Sequence, residues 1–241
     1  NKISDVSFLR ALKGMTSLYL SSNNLSDISF LRDLKGLTSL DLSSNKISDY
    51  SFLRALKGLT SFDLSYNNLS DVSFLRALKG LTSLCLSSNN LSDVSFLCDL
   101  KVLQTLTMMS NNISDISFLG SIPNLRWLNL EGNNLSDISV VADLPELTSL
   151  YVNNNPDLKE PPEDIRKEGV EAIRNYFLQL RKQGEDFLYE AKVLFVGEPG
   201  AGKTSLMKKL IDPGYEVPRQ DGEDEQSTLG IDIVPHPFKF T

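Results

Sequence analysis

Cysteine is scarce in this sequence: Cys85 and Cys98 are the two among 241 residues. Two thiols make no disulfide framework. Cys85 stands where Asp41 and Asp63 stand in neighbouring copies of a repeated phrase, and Cys98 where Arg54 and Arg76 stand. Those places are expected on opposite faces of the fold, too far apart to bridge. With no cysteine-stapled cap in sight, the chain reads as cytoplasmic, in a reducing setting. Histidine is scarcer still. His236 is alone between Pro235 and Pro237, so neither a zinc spacing nor a Ser-His-Asp set can be assembled. No catalytic residue is singled out. Long apolar runs are lacking too: nothing reaches the ~18 residues of a membrane-spanning helix, and no basic-then-apolar leader opens the chain. Positive charge is in deficit, with 24 Lys and Arg against 31 Asp and Glu and a net charge of −7. That balance argues against nucleic acid and against an anionic membrane surface as partners. The acidic "DGEDE" at 221–225 lacks the spacing of a calcium loop and reads as a solvated turn.

What the chain has in abundance is one phrase, close to "LTSLxLSSNNLSDxSFLRxLKG". Leu18, Leu40, Phe62, Leu84, Leu106, Leu128 and Leu150 recur at a spacing of 22, and asparagines follow in phase from Asn1 through Asn23 to Asn155. This L-x-x-L-x-L-x-x-N-x-L pattern resembles the leucine-rich repeats, whose period is about 20 to 29 residues. In "GLTSLDLSSN", Leu40 and Leu42 alternate with polar residues as in a short strand buried on one face. The ladder asparagine is expected to turn inward and pair with backbone groups of the neighbouring turn. The second half of each unit, such as "SDISFLRDLKG", should send Ile28, Phe30, Leu31 and Leu34 inward through brief 3₁₀ or one-turn helices on the convex side. Phe8, Phe30, Phe52, Phe74, Phe96 and Phe118 should stack as an aromatic spine. The expected fold is an α/β horseshoe with a parallel concave sheet over residues 1–160, each unit buried by its neighbours.

Outward strand positions line the concave face. Ser17, Ser39, Ser61 and Ser83 form one blank column and Ser21, Ser43, Ser65 and Ser87 another. Met109, Trp127, Asn129, Glu131 and Tyr151 break the monotony and should form one patch. Aromatic and Met side chains suit an interface with a protein partner or with the chain's own next domain. Packing under the following segment is the alternative. After Asn155 the phase ends at Pro156, Pro161 and Pro162. From Glu163 to Lys182, Ile165, Val170, Ile173, Phe177 and Leu180 recur at helical spacing. A capping and linking helix over 161–184 is expected to cover the open end of the last repeat.

Beyond residue 185 a different pattern begins. "AKVLFVG" reads as a buried parallel strand, and it leads into Gly197-Glu198-Pro199-Gly200-Ala201-Gly202-Lys203-Thr204, with Ser205 next. This is the G-x-x-x-x-G-K-[ST] phosphate loop. Glycines let amides converge on an anion, and the positive end of the following helix adds to them. Lys203 would reach β- and γ-phosphates and the Thr204 hydroxyl would bind Mg²⁺. Pro199 removes one donor from the cradle. The loop alone does not distinguish ATP from GTP.

"EDIRKEGVEAIRNYFLQL", "LYEAKVLFVGEPGAGKTSL" and "STLGIDI" together resemble the Roco proteins, in which leucine-rich repeats precede a Ras-like GTPase domain, Roc, and a dimerising domain, COR. The resemblance implies that 185–241 begins a truncated P-loop domain binding GTP or GDP with Mg²⁺. It implies that Thr228 is the switch threonine that closes on Mg²⁺ and the γ-phosphate, and that the parent protein dimerises through C-terminal domains. A D-x-x-G segment and a guanine-reading motif do not follow Thr228, so weak or no GTP binding is expected of these 241 residues. Two other functions stay open: a repeat scaffold with a vestigial nucleotide domain, and an ATP-driven immune-type switch.

Overall fold

The computed structural model describes residues 3, 6–47, 49–183, 202–212 and 214–216. The chain divides into two compact units, 1–185 and 186–241.

In the first unit, short strands β1 (Ser17–Tyr19), β2 (Ser39–Asp41), β3 (Ser61–Asp63), β4 (Ser83–Cys85), β5 (Thr105–Thr107), β6 (Trp127–Asn129) and β7 (Ser149–Tyr151) form one parallel sheet in chain order. Register follows the repeat: Leu18 faces Leu40, Leu40 faces Phe62, and Leu128 faces Leu150. Each strand is three residues long because the chain must then bend toward its asparagine. The residue before that asparagine carries the bend. Ser22, Ser44, Tyr66, Ser88, Ser110, Gly132 and Asn154 all have φ between 53 and 65°. This left-handed geometry is unfavourable for side chains other than Gly or Asn, and it recurs because of what it delivers.

What it delivers is a buried amide. Asn89, 7% exposed, donates through Nδ2 to Leu64 O, Leu86 O and Ser87 O at 3.0–3.2 Å. Its Oδ1 accepts from the Leu69 and Asn67 amides at 2.9 and 3.1 Å. One side chain thus pairs five backbone groups across two units. Each would cost about 1–3 kcal/mol if buried without a partner. Asn67, Asn111, Asn133 and Asn155 repeat the three donations and each accept one backbone amide.

The convex side is built of five-residue 3₁₀ helices, from Ser7–Ala11 and Ser29–Asp33 to Ser139–Asp143. The "SD" of each unit sets their start: Asp27, Asp49, Asp71, Asp93, Asp115 and Asp137 each accept through Oδ1 from the amide two residues on. These bonds hold the Asp27, Asp49, Asp93 and Asp115 carboxyls below the ordinary carboxylate range. Leu31, Leu53, Leu75, Leu97 and Leu119 are fully buried beneath them, each stabilising by about 1.5–3 kcal/mol.

The aromatic spine does not form. Phe30 and Phe96 are buried, Phe52, Phe74 and Phe118 are half-buried, and Phe8 is 70% exposed. Among the described residues no two of these rings pair. At three residues per turn the leucine that follows each phenylalanine takes the inward place, leaving the ring on the flank. Phe74 stacks instead on Tyr50, with centroids 5.8 Å apart.

The terminal helix is likewise two helices, α1 (Glu163–Glu168) and α2 (Val170–Gln183). Gly169 separates them at φ 101° and ψ −171°, a conformation essentially confined to glycine. Val170, Ile173 and Phe177 are buried, whereas Leu180, expected on the same apolar stripe, is half exposed. Arg174 Nη2 donates to Leu144 O and Leu147 O at 2.9 and 3.0 Å. Arg181 grips Asp143 with two bonds, at 2.7 and 2.9 Å. α2 is thereby fastened against Ser139–Asp143, at the end of the solenoid.

In the second unit the described structure is α3 (Lys203–Ile211) with its flanking turns.

Candidate functional site

The concave face follows from strand alternation. Leu18, Leu40, Phe62, Leu84, Leu106 and Leu128 point inward and are buried, so the residues on either side of each point out. Ser17, Ser39, Ser61 and Ser83 are exposed or half exposed as expected. The second serine column departs from expectation. Ser65 and Ser87 are buried, because the chain is already curling toward the ladder asparagine. Ser43 and Ser65 place amide and hydroxyl alike on Asp41 and Asp63 Oδ1, at 2.6–2.9 Å.

The residues that break the monotony lie together on the last three strands. Trp127 and Tyr151 pair directly, with ring centroids 5.5 Å apart and planes at 49°, within the favoured range for tilted rings. Tyr151 is 43% exposed and Trp127 half-buried. Asn129 Oδ1 accepts from the Glu131 amide at 2.9 Å, and Glu131 Oε1 accepts from Asn153 Nδ2 at 2.8 Å. Met109 is half-buried one unit before Glu131. α2 docks on Ser139–Asp143, and among the described residues Trp127 and Tyr151 form a ring pair with each other.

Sequence reasoning passed over three residues on this face. Tyr19 is 68% exposed, and Asp41 and Asp63 are neighbours in register on β2 and β3. The alternation in "SLDLS" already placed the aspartates outward. Cys85 continues their column. Burial pushes its thiol up, opposed by a bond from the Ser87 amide, while the Asp63 carboxylate adds to the rise. Cys85 and Cys98 are both free thiols, on a strand and on a convex 3₁₀ helix respectively.

Of the residues expected to form a phosphate loop, Gly197, Glu198, Pro199, Gly200 and Ala201 lie outside the described residues, as does Thr228. Gly202 is left-handed at φ 72° immediately before α3, and a Cβ there would meet nothing within 4 Å. The first intrahelical bond runs from the Leu206 amide to Gly202 O, so the positive end of α3 falls at Gly202, Lys203, Thr204 and Ser205. This local geometry fits an anion at the helix start. At its other end, Lys209 Nζ donates to Tyr215 O at 2.7 Å and Lys208 lies 5.5 Å from the Tyr215 ring centre.

Models of leucine-rich repeats in two copies match residues 35–77, 79–121 and 123–163, and a further leucine-rich-repeat model matches 1–47. The chain belongs to the leucine-rich-repeat family. Among curated proteins, a Roc-COR-CHAT protease of an unknown prokaryotic organism is 35% identical over 97 residues, 38% of this chain and 9% of that protein. Among solved structures, an internalin (inlF) of Listeria monocytogenes is 34% identical with a TM-score of 0.62, over 64% of this chain and 45% of that one. The leucine-rich-repeat ectodomain of the Arabidopsis thaliana receptor kinase GASSHO1/SCHENGEN3, solved in complex with Casparian strip integrity factor 2, is 27% identical with a TM-score of 0.57, over 63% of this chain and 20% of that one. The match thus spans about a tenth of the curated relative and under half of the internalin. Among the described residues of this leucine-rich-repeat chain, no helix is long and apolar enough to cross a membrane.

Proposed function

We propose that this leucine-rich-repeat chain belongs to a Roco-type signalling protein, in which the repeats dock a protein and the segment after α2 begins a GTP-binding Roc domain. The observation that carries the reading is the run Gly197–Thr204 leading straight into α3, with left-handed Gly202 at the join. The likeness to a protein named Roc-COR-CHAT protease supports it. In this reading the amides of 197–202 other than Pro199 surround the phosphates, Lys203 meets the β- and γ-oxygens, and the hydroxyls of Thr204 and Thr228 face Mg²⁺. Bound GTP supplies the γ-phosphate that orders the segment ahead of Thr228 in switches of this type. The Met109, Trp127, Asn129, Glu131 and Tyr151 patch is the docking surface, for a protein partner or the nucleotide domain itself. The cytoplasm and a dimeric parent protein go with the same reading.

Titration of the full-length protein carrying this chain with a fluorescent GDP analogue tests the nucleotide half. Submicromolar binding competed by GTP but not ATP is expected, weakened at least ~100-fold in Lys203→Ala. Competition by ATP alone favours the immune-type switch, and no binding leaves a repeat scaffold with a vestigial nucleotide domain. That second reading has its own support, since the described docking face needs no nucleotide.

A further inference from the structure

The outward columns of the sheet hold one kind of charge. From β1 to β7 the flanking positions read Ser17, Ser39, Ser61, Ser83, Thr105, Trp127, Ser149 on one side and Tyr19, Asp41, Asp63, Cys85, Thr107, Asn129, Tyr151 on the other. The next column ends in Met109, Glu131 and Asn153. These columns carry three carboxylates and no lysine, arginine or histidine. The cations nearest in sequence fall outside these columns. Arg126, one residue ahead of β6, is paired with Glu146 at 3.5 Å, and Lys46 lies past its ladder asparagine.

The arrangement is unhelpful to the fold. Asp41 and Asp63 are direct register partners, one strand spacing apart at about 4.8 Å. Like charges directly opposite destabilise a sheet. Each aspartate spends Oδ1 on its own serine turn, and among the described residues neither has an ion pair. Glu131 is similar: Oε1 is taken by Asn153, and among the described residues it has no ion pair. It lies past the Trp127–Tyr151 pair along the strand direction. Rings of this type favour a cation over their faces.

We propose that the concave sheet receives an extended, basic segment of a partner protein, whose lysine or arginine side chains meet Asp41, Asp63 and Glu131 while one residue anchors on Trp127 and Tyr151. The proposal rests on the docking-face reading above and adds the chemistry of the partner. β3 and β6 are three strand spacings apart, about 14 Å, a span covered by four or five extended residues at about 3.3 Å each. Basic side chains in the segment should therefore fall some four residues from the anchor.

The test is selection of a phage-displayed random dodecapeptide library on the intact 241-residue chain, followed by fluorescence anisotropy with the enriched peptides. The expected result is enrichment of peptides with two or more Lys or Arg. Their binding should weaken about tenfold between 0.05 and 0.5 M NaCl, as screened charge pairs do. Asp63→Asn and Glu131→Gln, which keep the acceptors for Ser65 and Asn153, should each weaken it about 3- to 10-fold. Trp127→Ala should weaken it more. A cooperative unfolding transition with a midpoint no lower than the parent's confirms that each variant is folded, and Asp63→Asn should raise it. Neutral or acidic peptides whose binding is lost in Trp127→Ala overturn the basic partner and leave the docking face standing. Peptides that bind a variant combining Asp63→Asn, Glu131→Gln and Trp127→Ala as tightly as the parent, or a library that yields no binder, overturn the docking face as well.

Discussion

Tyr50 occupies a place that six other units fill with Val6, Ile28, Val72, Val94, Ile116 and Ile138. Its ring is 6% exposed and stacked on Phe74, yet its hydroxyl is buried with no hydrogen-bond partner among the described residues. An orphaned buried hydroxyl costs about 1–3 kcal/mol. Tyr50→Phe keeps the stack and removes the orphan, so it should raise the urea midpoint at pH 7, by about 1 kcal/mol in stability. Burial also pushes the Tyr50 phenol well above its ordinary value. The sign follows. The unfolded phenol ionises near pH ~10 while the folded one stays protonated, so the unfolded state binds fewer protons and wild-type stability falls as pH rises. The gap between Tyr50→Phe and wild type should therefore widen from pH 10 upward, by up to about 1 kcal/mol per pH unit. A gap that stays constant between pH 7 and 11.5 would show that the hydroxyl is solvated. Nothing in the periodic pattern announces this orphan, since a tyrosine in an apolar column reads as a large core residue until its neighbours are placed.

The helix after the repeats shows what periodicity reads well and what it misses. Val170, Ile173 and Phe177 were legible as a buried stripe, because i, i+3, i+7 spacing is a property of the chain alone. The break at Gly169 was not, since an isolated glycine inside a helical pattern is tolerated at a cost of only about 1 kcal/mol. Nor was the role of Arg174, which reads as a solvent-side charge. Its side chain is 15% exposed, caps Leu144 O and Leu147 O, and is steadied by Glu171. Arg181, by contrast, is 45% exposed against Asp143, where an ion pair contributes little. The two arginines should therefore separate on mutation. Arg174→Met should weaken the docking of α2 by about 2 kcal/mol and raise amide exchange across 170–183 roughly 30-fold. Arg181→Ala should raise it about threefold or less. β2–β5 should exchange as before in both. Equal effects from the two substitutions would place the clamp in charge attraction instead of backbone capping.

The repeat pattern disclosed the solenoid because every inward residue serves its neighbours at a fixed offset, and a fixed offset is visible in a string of letters. It disclosed less of the concave face, where Asp41, Asp63 and Tyr19 matter by lying side by side across strands 22 residues apart. The spine of phenylalanines failed for the complementary reason: the period is right, but the rotation of each 3₁₀ turn decides which of two adjacent apolar residues goes in. If nearest-neighbour contacts carry the stability, one whole unit is removable. Excising residues 61–82 joins Thr60 to Ser83, the register partner of Ser61. Asn89 then stands where Asn67 stood toward the Asn45 amide, and every backbone pair of the ladder finds an equivalent partner. The shortened chain should keep its far-UV circular dichroism and one cooperative urea transition, with a slope reduced by about a tenth in line with the surface lost. Excising 61–71 removes half a period, sets a convex segment against a strand and inverts which residues face inward, so that chain should not fold. Cooperative folding of both deletions would mean that the core is held by composition and not by phase.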